Sequence, residues 1–495
     1  MYDAVYIYTV DKVMNGNPDT KRSGRKPLQA VLLLVSACLF AVAFRSAPAQ
    51  ALSGNWTNTS GGTWSTGTNW SSGAAPNAST DDANFALGSG PQITINVDSA
   101  FNVHNLNLTG SRSYRFNGSG QLNLFGNVTI LSGQTLTLLT GIALQNDTIL
   151  NIASGGSLSL ATPNAISGNH NITLEGGGFV GNSDPESYTG TTTVQDGTFG
   201  SSGGNVFSPN SDFVLANNSD VTLSTCGGDN TIASLSGGAA SFVDFCGARL
   251  TLGNASDTTY AGTMEDNGNP GGGITKVGTG TFTLTGTNTY TGNTIVNAGT
   301  LDVNGALTNS AVTVNAGGTL KGSGTLKGVT VNGTIAPGNS IATITGDSFE
   351  LASGSTLENE ISPTGTTDLI NANTSVAIDS GAALKVEPQA GTYSAGQTYT
   401  IISAPSITGT FSTVTGTSSA LTYQLRYFPT HVDLVVSPVS GASTTTITAS
   451  GTAAPATGYG SPSRVNLLRF ILLAVSVACL ASGLALRKRL LPSSS

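Results

Sequence analysis

The 495 residues include 64 glycines, nearly double the usual share of about 7%, and only 9% are charged where about 25% is ordinary. Residues 52–463 hold eight basic and 24 acidic side chains, and this net charge of −16 argues against binding to nucleic acid or to anionic lipid. Disorder is excluded because Val, Ile, Thr and Leu are abundant and regularly patterned.

Residues 1–51 have the layout of a secretory signal peptide. Two basic pairs precede an apolar run, Leu28–Phe44, and a small-x-small motif, Ala49–Ala51, follows it. This order predicts export and cleavage after residue 51. Two alternatives stay open. Translation could start at Met14, and a lipoprotein cleavage box ending at Cys38 would lead to acylation of that cysteine.

Residues 52–125 contain all three tryptophans, Trp56, Trp64 and Trp70, in contexts rich in Gly, Asn and Thr. The repeats that follow them indicate stacked coils, and the first coil of such a stack must be sealed. We therefore interpret this region as an N-terminal β cap whose aromatic rings cover the first coil. The alternative is a carbohydrate-stacking platform, since aromatic faces stack on pyranose rings.

Residues 126–350 show short apolar runs that alternate with Thr or Asn and are broken by glycine. In Thr281–Thr285, Phe282 and Leu284 fall on one face and the threonines on the other, which predicts a strand with one buried face. Val-Asn-Gly or Val-Asn-Ala motifs begin at positions 303, 314 and 331, at intervals of 11 and 17 residues. A recurrence close to one coil length predicts an all-β fold of stacked coils, a β-solenoid.

The segment Gly271–Gly305 carries the most specific pattern in the chain. It contains Ile274-Thr275-Lys276, then Gly-Thr-Gly-Thr at 278–281, Asn-Thr-Tyr-Thr-Gly at 288–292 and Val-Asn-Ala-Gly-Thr-Leu at 296–301. Weaker copies occur at 188–199 and 260–262. This pattern resembles the passenger-associated transport repeat, also called the autotransporter-associated β-strand repeat. The resemblance implies a right-handed parallel β-helix, with residues 351–436 as the passenger-like β segment that closes it.

The resemblance does not extend to the secretion barrel of a true autotransporter. That barrel needs many strands of about ten residues each, and 57 residues follow Pro438. We therefore expect a protein without the barrel. It resembles the single-anchor proteins that carry these repeats on the envelope or surface of Gram-negative bacteria.

The C-terminal residues predict a tether and a membrane anchor. Residues 437–463 are rich in Pro, Ser, Thr and Gly and indicate a flexible linker. Residues 464–489 contain an apolar stretch close to the minimum for a membrane span, and they end in Arg487, Lys488 and Arg489. This basic cluster should stay in the cytoplasm with the tail 490–495, which leaves the body outside. The helix and basic cluster resemble a sorting signal that lacks its Pro-Glu-Pro motif, so cleavage there stays open.

Cys226 and Cys246 are the cysteines outside the apolar ends, and they lie 20 residues apart, close to one coil. Stacked strands are about 4.8 Å apart, which suits the Cα separation of about 4.4–6.8 Å in a disulfide. The compartment beyond the inner membrane is oxidising. The spacing therefore predicts a disulfide, and the alternative is two unpaired small residues in the core.

No catalytic, metal-binding or cofactor-binding residue is predicted. His104, His170 and His431 have no second ligand at metal-binding spacing, and Asp81-Asp82 lacks the spacing of a calcium loop. An enzymatic alternative is a parallel β-helix polysaccharide lyase or hydrolase with carboxylates paired across coils. It ranks second, because the few cations are scattered and the acidic body would repel uronate substrates.

These observations predict a secreted, membrane-anchored surface protein with a structural or adhesive role. Its repeated Thr, Asn and Ser faces would offer many weak polar contacts that act through multivalency. The expected partner is a surface or matrix ligand, with polysaccharide as one candidate class. The alternative is a parallel β-helix protein that binds or degrades polysaccharide.

Overall fold

The structure, a computed structural model, describes residues 53–439 and 443–447. The described residues form strands, turns and one short 3₁₀ helix at Gly67–Asn69. No helix among them has the length and apolarity to cross a membrane. The predicted signal peptide at 1–51 and the predicted anchor at 464–489 lie outside the described residues.

The chain divides into two compact units. The first contains the residues up to Gly333 together with Thr345–Ser348, and the second contains Thr334–Ile344 and the residues from Phe349 onwards. The strands that precede the second unit are β1 (Gly54–Asn55), β2 (Gly62–Thr63), β3 (Ala83–Phe85), β4 (Ile93–Asn96), β5 (Ala100–Val103), β6 (Leu106–Leu108), β7 (Tyr114–Asn117), β8 (Gln121–Leu124), β9 (Val128–Ile130), β10 (Thr135–Leu138), β11 (Gly141–Leu144), β12 (Thr148–Ile152), β13 (Ser157–Leu160), β14 (Ile166–Ser167), β15 (Ile172–Glu175), β16 (Phe179–Asn182), β17 (Gly190–Val194), β18 (Gly197–Ser201), β19 (Ser211–Leu215), β20 (Val221–Ser224), β21 (Asn230–Ile232), β22 (Ser234–Gly237), β23 (Phe242–Asp244), β24 (Arg249–Leu252), β25 (Thr258–Tyr260), β26 (Thr263–Glu265), β27 (Gly273–Lys276), β28 (Thr281–Leu284), β29 (Thr287–Asn288), β30 (Thr294–Val296), β31 (Gly299–Val303), β32 (Ala306–Leu307), β33 (Val312–Val314), β34 (Gly318–Gly322) and β35 (Thr325–Val331).

The first unit is a parallel β-solenoid of about 13 turns, as the sequence predicted. Most successive strands lie on different faces, and strands pair in parallel with the strand one turn away. The first face contains β1, β3, β6, β9, β12, β15, β17, β19, β22, β25, β28, β31 and β34. The second face contains β2, β4, β7, β10, β13, β16, β18, β20, β23 and β26. Parallel pairing begins with β1 on β3 and β2 on β4, inside the region interpreted from sequence as a cap.

Apolar side chains of the first unit stack in columns along the interior. In β28, Phe282 and Leu284 are buried while the threonines are half-exposed, which confirms the predicted alternation. Phe282 lies in register with Leu301 of the next turn, and Leu301 lies in register with Leu320 of the turn after it. Each fully buried side chain of this size contributes about 1.5–3 kcal/mol. Because the apolar face of one turn is covered by its neighbours, the turns stabilise one another.

Glycine is required at a corner of the repeat. Gly299 has a φ of +63°, a left-handed conformation that side chains other than glycine rarely adopt. A Cβ atom at this position would lie 2.5 Å from the carbonyl oxygen of Gly278 on the previous turn. The glycine of the Val-Asn-Ala-Gly motif therefore serves both the turn and the close approach of neighbouring coils.

The third face of the solenoid is interrupted. Its earlier part is the four-stranded sheet β5, β8, β11 and β14, and its later part begins at β21 and continues through β24, β27, β30, β33 and β35. Between these two sheets the chain from β15 to β20 supplies strands to the first two faces only. The backbone groups at this break must therefore find partners other than a neighbouring strand.

The second unit begins as parallel strands and ends as antiparallel ones. Strands β36, β38, β40 and β44 pair in parallel, whereas β46 pairs antiparallel with β42 and β45, and β41 pairs antiparallel with β47. The strands from Thr334 onwards are β36 (Thr334–Pro337), β37 (Thr343–Leu351), β38 (Thr356–Ile361), β39 (Leu369–Ile378), β40 (Ala383–Pro388), β41 (Gly391–Ser394), β42 (Gln397–Ser403), β43 (Ser406–Gly409), β44 (Thr413–Gly416), β45 (Leu421–Tyr427), β46 (His431–Pro438) and β47 (Thr444–Ile447).

Candidate functional site

The three tryptophans form a buried cluster at the N-terminal end of the described chain. Trp56, Trp64 and Trp70 are each at most 2% exposed, and the rings of Trp56 and Trp64 both meet that of Trp70 edge to face at centroid distances of 5.2 and 4.8 Å. The ring of Trp64 also packs near Phe85 and Phe116 of the first turns. A buried ring has no free face for a sugar. The burial of all three rings argues against the carbohydrate-stacking alternative and is consistent with the cap interpretation, which stays a prediction.

A buried carboxyl group occupies the break in the third face. Glu186 is 3% exposed, and its Oε2 atom accepts a hydrogen bond of 2.9 Å from the backbone N–H of Ile166, in the last strand of the earlier sheet. The backbone N–H of Glu186 donates to the carbonyl of Val206 at 3.2 Å. Burial raises the pKa of Glu186 to about 8, against the effect of the N–H donors of Ile166 and Ala165.

Two buried amide side chains complete this polar cluster. Asn182 donates to the carbonyl of Val206 at 3.4 Å, and Asn230 accepts from the N–H groups of Val206 and Phe207 at 2.9 and 3.1 Å. The Oε1 atom of Glu186 and the Oδ1 atom of Asn182 are buried without a hydrogen-bond partner. These side chains thus supply part of the hydrogen bonding that a neighbouring strand would provide. Two of their own buried oxygen atoms are left without a partner.

An open cleft of about 570 Å³ lies beside the loop that follows β26. Its walls are formed by Glu265, Asp266, Asn267, Gly268, Pro270, Thr289 and Thr291. The carboxylate of Asp266 accepts hydrogen bonds from the N–H of Gly272 and from both the N–H and the hydroxyl of Thr291, at 3.0, 2.8 and 2.7 Å. This carboxylate therefore holds the loop against the next turn, and it is a structural rather than a free group.

A pair of carboxylates lies on adjacent turns at the edge of this cleft. Asp244 in β23 and Glu265 in β26 are register partners on adjacent strands, so their Cα atoms are about 4.8 Å apart. The Nδ2 atom of Asn267 donates to Asp244 at 2.7 Å. Paired carboxylates are the residue types that glycoside hydrolysis uses. The cleft lining contains no basic residue to neutralise an acidic substrate.

Cys226 and Cys246, predicted to form a disulfide, are brought together on adjacent turns next to Asp244. The structure joins them as a disulfide with Cα atoms 4.6 Å apart, inside the predicted range. In the part of the chain that the structure describes, these two cysteines and Asp244 are the one group of three potential metal ligands in mutual reach. Because the disulfide uses both sulfur atoms, a single carboxylate is left, which does not make a metal site. Formation of the bridge in the cell stays a prediction.

Two segments of the solenoid match a known protein family. Residues 181–199 and 274–303 match the family called passenger-associated-transport-repeat. The chain is a passenger-like repeat protein. The longer match runs from β27 to β31 and the shorter one from β16 to β18, so the shorter covers about one turn of the solenoid and the longer about one and a half. No curated protein matches the chain.

Lys276 of the longer passenger-associated repeat has a structural role that its sequence motif did not reveal. Its side chain is 1% exposed, and its Nζ atom donates to the carbonyls of Val277, Gly278 and Ala298 at 2.6, 3.0 and 3.3 Å. Burial lowers the pKa of Lys276, and the charge of Asp257 acts in the opposite direction. The ammonium group therefore satisfies carbonyls at a corner of two consecutive turns, and all three of its donors are used.

The three histidines of this passenger-like protein each lie near an aspartate. His104 is 3.2 Å from Asp82 and His170 is 3.7 Å from Asp147, in both cases one turn away. In the second unit, His431 lies 3.8 Å from Asp433 and stacks on the ring of Phe428. The first two pairs could not be recognised in the sequence, because their members are 22 and 23 residues apart. None of the three forms a cluster with two other ligands among the described residues.

The second unit carries a small charged network on one face. The Nζ atom of Lys385 lies 2.9 Å from Glu358 and 2.7 Å from Glu387. These carboxylates raise the pKa of Lys385. Beneath them, Asp368 is 2% exposed and accepts from the N–H groups of Ala342 and Glu360 at 2.9 and 2.8 Å. Burial raises the pKa of Asp368 to about 7. Because Glu358 and Glu387 balance the charge of Lys385, we assign this network a structural role.

The remaining predicted residues lie outside the described chain. They are Cys38, proposed as an alternative acylation site, and Arg487, Lys488 and Arg489, predicted to set the orientation in the membrane. Their roles stay predictions.

Proposed function

We propose that this protein is exported and displayed on the bacterial surface as a structural or adhesive β-solenoid. The proposal includes the right-handed winding, the signal peptide 1–51 and the membrane anchor 464–489, and the resemblance to single-anchor repeat proteins motivates all three. The match to the passenger-associated repeat supports export by analogy with passenger segments, which act outside the cell.

The display role rests on polar side chains that lie in register on successive turns of the solenoid surface. Thr281, Thr300 and Thr319 follow one another on three consecutive turns of the first face, each half-exposed. Amide side chains form similar ladders, such as the hydrogen bond of 2.7 Å from Asn315 to Asn297 on the turn before. A surface of this kind repeats one polar contact about every 4.8 Å along the stack. Many weak contacts at a fixed spacing give binding through multivalency rather than through one deep site.

Adhesion of living cells tests the proposal. Cells that display the full chain should attach to a matrix-coated or cell-coated surface more than cells that carry a variant without residues 464–489. The same deletion should move the protein from the membrane fraction to the medium or periplasm. If the deleted protein stays bound to membranes, Cys38→Ser should release it, and the anchor is then an acyl chain. Equal attachment by cells with and without the displayed protein would refute the adhesive role.

A second candidate function rests on the carboxylates beside the cleft. Asp244 and Glu265 lie on adjacent turns, and a pair of carboxylates on either side of the scissile bond is what acid/base cleavage of a glycosidic bond uses. Purified protein incubated with neutral and acidic polysaccharides would then release new reducing ends. Glu265→Gln should abolish that release, whereas Asp229→Asn, which removes an exposed acid elsewhere, should not. We rank this function second, because Asp244 is already held by Asn267.

A further inference from the structure

We propose that the second face of the solenoid binds a neutral polysaccharide by stacking a sugar ring on Phe179. This inference rests on the proposed display role and names the class of ligand. Phe179 begins β16 and is 44% exposed, so this aromatic residue is accessible to solvent. The surroundings of that ring suit a carbohydrate better than they suit a protein.

The ring of Phe179 lies close to two glycines of the sheet. A Cβ atom at Gly181 would lie 2.5 Å from Cε1 of the ring, and one at Gly200 would lie 2.9 Å from Cε2. Gly181 and Gly200 are register partners on neighbouring turns, so opposite edges of the ring rest on two adjacent strands. Any side chain at either position would push the ring off the sheet. The two glycines therefore leave room for the ring to pack against the sheet while the residue stays accessible to solvent.

Hydroxyl groups border the ring along the axis of the solenoid. Ser157 is the register partner of Phe179 on the turn before and Thr198 is its partner on the turn after, while Ser159 faces Gly181. All three are half-buried, and none is charged. An apolar plate with hydroxyl groups at its edges matches a pyranose ring, which has apolar C–H faces and a rim of hydroxyls. The absence of charge among these neighbours favours a neutral sugar over a uronate.

A protein partner fits this surface less well. Stable protein interfaces bury about 800 Å² on each side, and contiguous apolar area is what marks them. The other large apolar side chains that are exposed in the described chain lie off this face; they are Leu131, Ile149, Phe428 and Val439. One ring among hydroxyls is too small an anchor for a second copy of the chain, but it is sufficient for one sugar residue of a longer glycan.

Binding of the purified full chain to neutral β-glucan oligosaccharides, with alginate as the acidic comparison, tests the proposal. Calorimetry should detect the neutral glycan, and Phe179→Ala should weaken its binding at least about tenfold, or about 1.4 kcal/mol. Phe179→Tyr should bind as the wild type does. Gly200→Ala keeps the ring but lifts it from the sheet, so it should also weaken binding. Phe428→Ala, which removes an exposed ring of the second unit, is the matched control and should have no effect.

Several outcomes would overturn the inference. They are wild-type affinity in Phe179→Ala with an unchanged circular dichroism spectrum, no binding of any neutral glycan by the wild type, or tighter binding of alginate. Loss of self-association in Phe179→Ala, measured by sedimentation, would instead identify a second copy as the occupant. The cell attachment assay separates the two proposals: cells carrying Phe179→Ala that still attach as strongly as wild type refute this site and leave the display role intact.

Discussion

Replacing Glu186 by glutamine should flatten the pH dependence of stability. Burial raises the pKa of Glu186 from an ordinary value of 4.5 to about 8. Between these values the folded protein keeps a proton that the unfolded chain releases, so the free energy of unfolding falls as the pH rises. One pH unit corresponds to about 1.4 kcal/mol, and between pH 5 and pH 7 the wild type should therefore lose about 2–3 kcal/mol from this group.

Glutamine isolates the titration from the packing. It has the shape of the protonated glutamic acid and keeps an oxygen that can accept from the N–H of Ile166, whereas it carries no proton that pH can remove. The loss of stability with rising pH should shrink in Glu186→Gln. Part of the slope should remain, because Asp368 in the second unit has a pKa raised to about 7 and acts in the same direction.

Guanidinium unfolding of the purified full chain at pH 5, 6 and 7 measures the effect. Since the turns of a solenoid can unfold in parts, hydrogen exchange in the peptide that contains Ile166 should be followed as a local readout. Asp220→Asn, which removes an exposed carboxylate of the first unit, is the control. Parallel pH profiles for the wild type and Glu186→Gln, by both readouts, would refute the idea that this carboxyl is held neutral in the fold.

Three further predictions concern the solenoid framework. Lys276→Met should lower the free energy of unfolding by about 1–3 kcal/mol or more, since buried carbonyls lose their donor; the exposed Lys327→Met is the control in the same melting experiment. Mass spectrometry of unreduced peptides should find Cys226 linked to Cys246, and removing the link should cost about 3 kcal/mol, whereas two free thiols after periplasmic expression would contradict it. Trp64→Ala should destabilise the N-terminal end by about 3–5 kcal/mol because it leaves a cavity.

The fold class could be predicted because it depends on local alternation. The burial of Phe282 and Leu284 follows from period two alone, and one strand of this kind needs partners on both sides. The spacing of Cys226 and Cys246 measured one turn of the stack, and the structure places them on adjacent turns. Repetition of short strands at such a spacing leaves few folds other than a solenoid.

The residues at the break in the third face could not be predicted in the same way. Glu186 lies in a loop of ordinary composition, and only the absence of a neighbouring strand makes its carboxyl a hydrogen-bond acceptor for Ile166. The tryptophans show a second limit of sequence reasoning. Aromatic residues in Gly-rich and Thr-rich contexts suit either a cap or a sugar platform, and only burial, which depends on the whole first turn, distinguishes them.

The outward residues that meet across turns depend on turn length, and this length varies. Leu136 and Leu158 pair across 22 residues, whereas Thr281 and Thr300 pair across 19. A shift of one residue in a strand exchanges its inner and outer faces. For the buried side chains the register can be predicted, because only one register buries every apolar side chain. The outer face has no such constraint, so the meeting of Phe179 with its two glycines, or of Asp244 with Glu265, requires the register itself. Function on this scaffold is therefore encoded less in motifs than in the number of residues per turn.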